Sequence, residues 1–344
     1  MRSIQLVAPQ TIEERDIPQA PDPGHGFVTL KMHAVGICGS DLHWYQDGRI
    51  GEAKMPYPRV MGHESAGEVI VVGKGVTTLA VGDRVVVEPS LTCGHCEFCL
   101  KGQTNNCIHS VFMGGFQSDG LMREFATVPA INCTRFPKAF DYPKATLAEP
   151  LAVMMHMLEL VDIHVGDTVC VTGAGPIGML AASVAKAAGA SRVFIADKLA
   201  YRLKLAQQMG ADVTIDTAQE KLIDAVLDST RGRGVDKVLE CAGSAETVNA
   251  AMRVAKQGGD VILIGILSEM YPKLDIHTPM AKELRIQTLK RSNHRAQEAL
   301  DMMATGKVSS SLITHTLPMA DTPRGFEMLT HYTDGVGKVI VEIK

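Results

Sequence analysis

Residues 168–172 form a short apolar run that leads straight into Gly173-Ala174-Gly175-Pro176-Ile177-Gly178. No other feature of this 344-residue chain limits its fold as tightly. Glycines at that spacing also occur in ordinary turns, and alone they say little. Here a helical stripe follows them: Ile177, Leu180, Ala181, Val184, Ala185 and Ala188, ending at Gly189 in the manner of a helix C-cap. A second strand over 192–197 ends in an acid, Asp197, and a helix runs through 201–209. Further strand-like runs at 211–216, 235–241, 260–266 and 284–289 alternate with helical segments. That alternation predicts a parallel, doubly wound six-stranded sheet with helices on both faces.

In such a sheet each glycine has a task. Gly173 permits the tight turn, Gly175 lets the backbone approach a pyrophosphate, and Gly178 lets the helix pack on the strand. The helix N-terminus then faces the phosphates. Asp197, 19 residues beyond Gly178, stands where a carboxylate can bind both ribose hydroxyls and repel a 2′-phosphate. The pattern therefore favours NAD over NADP, although Lys198 and Arg202 lie close by in sequence.

The first half has a different texture. Val28, Leu30, Met32 and Ala34 alternate with Thr29, Lys31 and His33, and Val-rich runs at 68–73 and 83–89 are bounded by Gly, Asp and Pro. A barrel-like or irregular β domain fits. The chain also ends in a β-like run at 338–343, so its two ends are expected to pack together as one domain, residues 1–152 with 290–344. Residues 153–289 form the other, in line with about two domains for this length.

A net charge of −4 and a pI near 6.3 provide no basic face, which disfavours nucleic acid and anionic membranes as partners. The start, Met-Arg-Ser-Ile-Gln, carries no apolar signal region, and no uninterrupted apolar stretch reaches membrane-spanning length. The expectation is a cytoplasmic protein whose eight cysteines stay reduced. Four of them, Cys93, Cys96, Cys99 and Cys107, have the spacing C-x2-C-x2-C-x7-C. Four thiolates on one loop close a tetrahedral shell around zinc and leave no position for water or substrate, so this metal is structural. His95 and His109 read as solvated neighbours. Cys133, Cys170 and Cys241 read as buried small hydrophobes.

A second constellation is scattered: Cys38 in Gly36-Ile37-Cys38-Gly39-Ser40-Asp41, His63-Glu64 after Gly62, and Glu149 before Pro150. Taken singly, these are a core cysteine, a surface pair and a loop acid, and spacing alone does not assemble them. With these segments, and with Gly48-Arg49-Ile50-Gly51, Val81-Gly82-Asp83-Arg84-Val85, the four-cysteine loop, Gly173–Gly178 and the stretch from Gly265 to Met270, the chain resembles zinc-containing medium-chain dehydrogenases/reductases nearly end to end. Within them it resembles the sorbitol (polyol) dehydrogenase branch.

The resemblance implies a GroES-like β-barrel catalytic domain joined to a Rossmann domain. It implies a catalytic zinc held by Cys38, His63 and Glu64, with Glu149 beside it as a ligand or bonded to its water. It makes Ser40 the first proton acceptor and His43 the next relay towards solvent, while a hydride passes from a secondary hydroxyl of a polyol to NAD and leaves a ketose. It assigns NAD contacts to Gly173, Gly175, Pro176, Ile177, Gly178, Asp197, Arg202, Ile264, Gly265, Ile266, Leu289 and Arg291. Arg291 and Trp44 would also meet the substrate, and a homotetramer or homodimer is implied. Trp44 and Ser292 replace tyrosines that sorbitol dehydrogenases often carry, so the polyol need not be sorbitol. Two alternatives stand beside this reading: a zinc dehydrogenase of threonine or another non-polyol alcohol, and a non-catalytic NAD- and zinc-binding protein.

Overall fold

The strand Phe27–Gly36 organises the N-terminal part of the molecule in the computed structural model, which describes residues 1–344. Val28, Leu30, Met32 and Ala34 are fully buried while Lys31 faces water, the period-2 pattern of a strand with one face in the core. Burying each of the larger ones contributes roughly 1.5–3 kcal/mol. Glu64–Val72 pairs antiparallel along most of its length. Phe125–Pro129 pairs with Phe27 to Lys31, and Lys338–Glu342 pairs with Ala34 to Gly36. Arg84–Val87 and Cys133–Arg135 extend the sheet beyond Glu64–Val72, and Ile313–Pro318 extends it beyond Lys338–Glu342, giving seven strands. The last strand of the chain thus sits beside one of the first. This is the GroES-like β domain.

The second unit is a six-stranded, fully parallel sheet in the order Val213–Asp216, Arg192–Asp197, Thr168–Thr172, Val235–Glu240, Ala255–Leu263, Arg285–Thr288. Chain direction from Thr168–Thr172 runs outward to one side and then reverses to the other, the Rossmann arrangement with its switch point between Thr168–Thr172 and Val235–Glu240. Every residue of Val235–Glu240 is buried, as expected for a strand covered on both faces. The fifth strand begins at Ala255, not at 260. Ala255 already pairs with Val235, and a register shift precedes the regular pairing that resumes at Asp260. It ends at Leu263, so Ile264, Gly265 and Ile266 leave the sheet and form a loop at its carboxyl end.

The two compact units are Met1–Ala152, Ser292–Asp301 and Ile313–Lys344 on one side, and Val153–Arg291 with Met302–Leu312 on the other. The chain first crosses inside the helix Ala148–Leu160. The return is not the single passage at 290 that the β-like tail suggested, because Met302–Leu312 goes back to the Rossmann unit. There Ser311 Oγ donates to Met209 Sδ at 3.4 Å. Cys170 is fully buried, but Cys133 and Cys241 are half-buried and correct the expectation of three buried cysteines. Burial nevertheless pushes the thiols of Cys133 and Cys170 up to about 12, which leaves them unreactive. No helix is long and apolar enough to cross a membrane.

Candidate metal and dinucleotide sites

Strand register assembles the scattered constellation. Gly36 and Glu64 face each other across the sheet, so the segments that follow one and precede the other, Ile37-Cys38 and Gly62-His63, end at the same place. A Cβ on Gly36 would lie 2.2 Å from Glu64 Oε2, so only glycine leaves room for that carboxylate. The sulfur of Cys38, a ring nitrogen of His63 and a carboxylate oxygen of Glu64 all fall within 4.8 Å of one another.

Further groups hold this trio in place. Cys38 precedes the helix Gly39–Asp47 in an extended conformation, and its N–H donates to Asp41 Oδ2 at 3.0 Å. Asp41, fully buried, puts Oδ1 3.5 Å from His63 Nδ1 and so leaves Nε2 as the ring's second polar atom. Ser40 Oγ is 3.5 Å from His63 Nε2, and the ring edge packs against Phe112. His43 lies one helical turn beyond Ser40, with Nδ1 3.5 Å from Asp47. Lys338, 2% exposed, ion-pairs with Glu64 and donates Nζ to the Ile37 carbonyl at 3.0 Å.

The electrostatics ask for a cation. Burial, reinforced by Glu64 and Glu88 and opposed by His63 and Lys338, brings the Glu149 carboxyl up to about 8. Burial acts to lower the His63 pKa, but Asp41 and Cys38 outweigh it and hold the imidazole well above its ordinary value. Glu64 Oε1 is buried with no hydrogen-bond partner. A thiol, an imidazole and a carboxylate suit Zn²⁺, and its two charges answer the excess of buried acids. The residues fit the ion. Glu149, in the first turn of Ala148–Leu160, stays outside the trio in ligand reach but within its electrostatic field.

The four-cysteine loop is self-contained. All four sulfurs lie within 4.8 Å of one another, with Cys93 3.6 Å from Cys107 and 4.0 Å from Cys99. Backbone N–H groups of Cys93 and Cys96 donate to Cys107 Sγ and Cys93 Sγ, both at 3.4 Å. Hydrogen bonding, first from the Cys99 amide, draws Cys96 down to about 6, while burial and its neighbouring thiols push Cys99 up to about 12. Four thiolates do not ionise together without a cation between them, and this donor set fits zinc. His95 and His109 are exposed and stack on each other.

In the Rossmann unit the expected dinucleotide residues gather at the carboxyl ends of the strands. A Cβ on Gly178 would lie 1.8 Å from the Gly173 carbonyl, which fixes glycine there. Gly175 caps the helix Pro176–Ala188, so Pro176 and Ile177 open its first turn. Asp197 ends its strand with Oδ2 accepting the Ala174 N–H at 2.7 Å and Oδ1 accepting that of Leu199 at 2.9 Å. Arg202 reaches within 4.0 Å of the position a Gly175 side chain would take. Leu289 and Arg291 follow the last strand, and the Leu289 N–H donates to Leu263. Trp44 is buried against Phe116, with ring centroids 6.2 Å apart. Ser292, also buried, donates to Glu88 Oε2 at 2.5 Å.

Sequence reasoning missed Lys338, Glu88 and Phe112, for which only three-dimensional proximity is a signal. It also passed over Glu240, buried at the switch point, whose Oε1 accepts the N–H groups of Ala242 and Gly243 and the Thr247 hydroxyl. Asp41 lies within the Gly36–Asp41 segment, and an acid three residues after a helix cap is itself a local signal.

Residues 24–138 match the family model described as the alcohol dehydrogenase GroES-like domain, and residues 176–305 match that of zinc-binding dehydrogenases. The sorbitol dehydrogenase of Bacillus subtilis (strain 168) is 33% identical over 93% of this chain and 91% of its own length. The L-threonine 3-dehydrogenase of Pyrococcus abyssi is 39% identical over 72% of this chain and 70% of its own length. Among solved structures, an Escherichia coli oxidoreductase/dehydrogenase of unknown specificity superposes with a TM-score of 0.93 at 32% identity, covering 100% of this chain and 99% of that one.

Proposed function

Because this chain belongs to the zinc-containing medium-chain dehydrogenases/reductases, in their sorbitol dehydrogenase-like branch, we propose that it oxidises a secondary hydroxyl of a polyol to the ketose with NAD as hydride acceptor. The observation that carries this reading is the meeting of Cys38, His63 and Glu64 beside a buried carboxylate, Glu149. A zinc ion held by the trio supplies, when bound, the Lewis acidity that makes a substrate hydroxyl acidic enough to lose its proton near neutral pH.

The chain's own groups do the rest. Ser40 Oγ, within reach of the His63 ring, is placed to take that proton, and His43, three residues on along the same helix face, to pass it towards Asp47 and solvent. Asp41 keeps His63 from turning, and the ion pair with Lys338 keeps the Glu64 carboxylate in place. Glu149 either joins the ligands or accepts a hydrogen bond from what the metal holds. Trp44 and Arg291 shape the recognition of the polyol. Asp197, with both oxygens already oriented by backbone amides, selects a free ribose over a 2′-phosphate.

A homo-oligomer, dimer or tetramer, is supported by the outer strand of the Rossmann sheet. All four residues of Arg285–Thr288 are exposed, and Tyr271, Ile276, Met280 and Ile286 put apolar surface nearby in sequence. Sedimentation of a single monomeric species would contradict it. A cysteine loop that needs four reduced thiols suits the cytoplasm.

The test of the activity is NADH formation at 340 nm over a panel of C4–C6 polyols, polyol phosphates and threonine. The reading predicts turnover of a polyol. Turnover of threonine alone would keep the chemistry and replace the substrate, and silence across the panel from zinc-loaded protein would reject the assignment.

A further inference from the structure

Two features remain unconnected: a four-cysteine loop with no chemistry of its own, and the chain crossover from the Rossmann unit into the β unit. In residues 291–294 three non-glycine residues have left-handed backbones, Arg291, Asn293 and His294, with φ of 58°, 49° and 59°. Asparagine tolerates that region. Histidine visits it more often than most residues but arginine does not, and three such residues within four persist only where surrounding contacts impose them.

The structure supplies two anchors. One is the buried bond from Ser292 to Glu88. The other is Asn293, whose Oδ1 accepts from the Thr104 N–H at 2.9 Å and the Thr104 hydroxyl at 3.0 Å, with the Asn105 N–H at 3.5 Å. Backbone N–H groups can only donate, so the Asn293 atom facing them has to be its carbonyl oxygen. Thr104 opens the 3₁₀ turn Thr104–Asn106, and Cys107, the last of the four metal-loop cysteines, closes it. The acceptor on one side is therefore two residues past Arg291, and the donors on the other are two or three residues before a zinc ligand.

We propose that Asn293 is a positioning residue, a latch through which the four-cysteine loop holds the crossover that carries Arg291 and Ser292. The structural metal then serves the substrate end of the enzyme as well as its own loop. Asparagine suits this position because it combines a short side-chain acceptor with tolerance of a positive φ. The kinetic consequence rests on the proposed substrate role of Arg291; the latch itself does not.

The experiment is hydrogen–deuterium exchange on the full, zinc-loaded enzyme, with steady-state kinetics alongside. Asn293→Gly removes the acceptor without adding backbone strain, and Asn293→Asp keeps an acceptor. In the glycine variant, exchange at residues 290–295 should quicken about tenfold, and KM for the polyol should rise about five- to tenfold with kcat within about twofold. The aspartate variant should stay near the parent, and zinc content should be unchanged in both. Cys99→Ser, which opens the metal loop, should quicken the same amides in the parent background and add little to Asn293→Gly. Unchanged exchange in Asn293→Gly, or full additivity with Cys99→Ser, would overturn the latch. Faster exchange with an unchanged KM would uphold the latch and count against Arg291 as a substrate contact.

Discussion

The two candidate metal sites are built in opposite ways. The four cysteines lie within residues 93–107, and their sulfurs are brought together by one loop, a short helix and a 3₁₀ turn. Cys38, His63 and Glu64 come from two segments of a sheet, and the groups that steady them, Asp41 and Lys338, lie on a helix and on the last strand of the chain. The loop site presents four like ligands and fills its metal's coordination by itself. The sheet site would present three unlike ligands, with a nearby carboxylate held up at about 8 and a buried lysine, and three ligands would leave a fourth position for a reactant. A closed site needs only local chain. An open one cannot rest on local chain alone, and here distant strands and buried charges hold its groups in place.

The contrast can be tested site by site. The largest effect is expected from His63→Ala, which removes a ligand of the open site. Turnover should fall about a thousandfold or more, the equivalent of several kcal/mol of charge stabilisation, while NAD binding measured by calorimetry stays near normal. Full activity would remove the trio from catalysis. Next, Gly36→Ala places a methyl group where Glu64 Oε2 now sits. It should lower kcat about 10- to 100-fold and weaken metal retention at the open site alone. Equal loss of both ions would show that the two sites are not independent.

Asp197→Ala, in the other unit, should raise the Kd for NAD about tenfold and narrow the preference over NADP, with both ions retained. An unchanged cofactor ratio would mean the ribose is held by other groups. The smallest catalytic effect belongs to the closed site. Cys99→Ser should lower Tm by about 5–10 °C and remove one ion per chain, with kcat changed far less than in His63→Ala. A collapse of kcat comparable to that of His63→Ala would erase the distinction between the sites.

The same contrast explains what could be read from the sequence. The cysteine loop and the glycine turn before Pro176–Ala188 were legible because their ligands and backbone constraints are local: fixed spacing, a strand before, a helix after. The open site was legible only through resemblance, since nothing near Cys38 in sequence announces that Gly36 will pair with Glu64. Lys338 was invisible for the same reason, being 274 residues from the carboxylate it neutralises. The start of the fifth strand at Ala255, ahead of the 260 read from the sequence, rests on pairing with Val235, which is a tertiary fact. The excursion of Met302–Leu312 back to the Rossmann unit was hidden too, because its burial has no periodic signature.

The central claim is that one metal does chemistry and the other holds structure. Counting ions per chain by native mass spectrometry while a chelator is raised, with polyol-dependent NADH formation followed on the same samples, tests it most directly. The open site, with fewer protein ligands, should empty first, and turnover should vanish as the count falls from two to one. Turnover that persists at one ion per chain with the open site empty, or that disappears only with the second ion, would contradict the account.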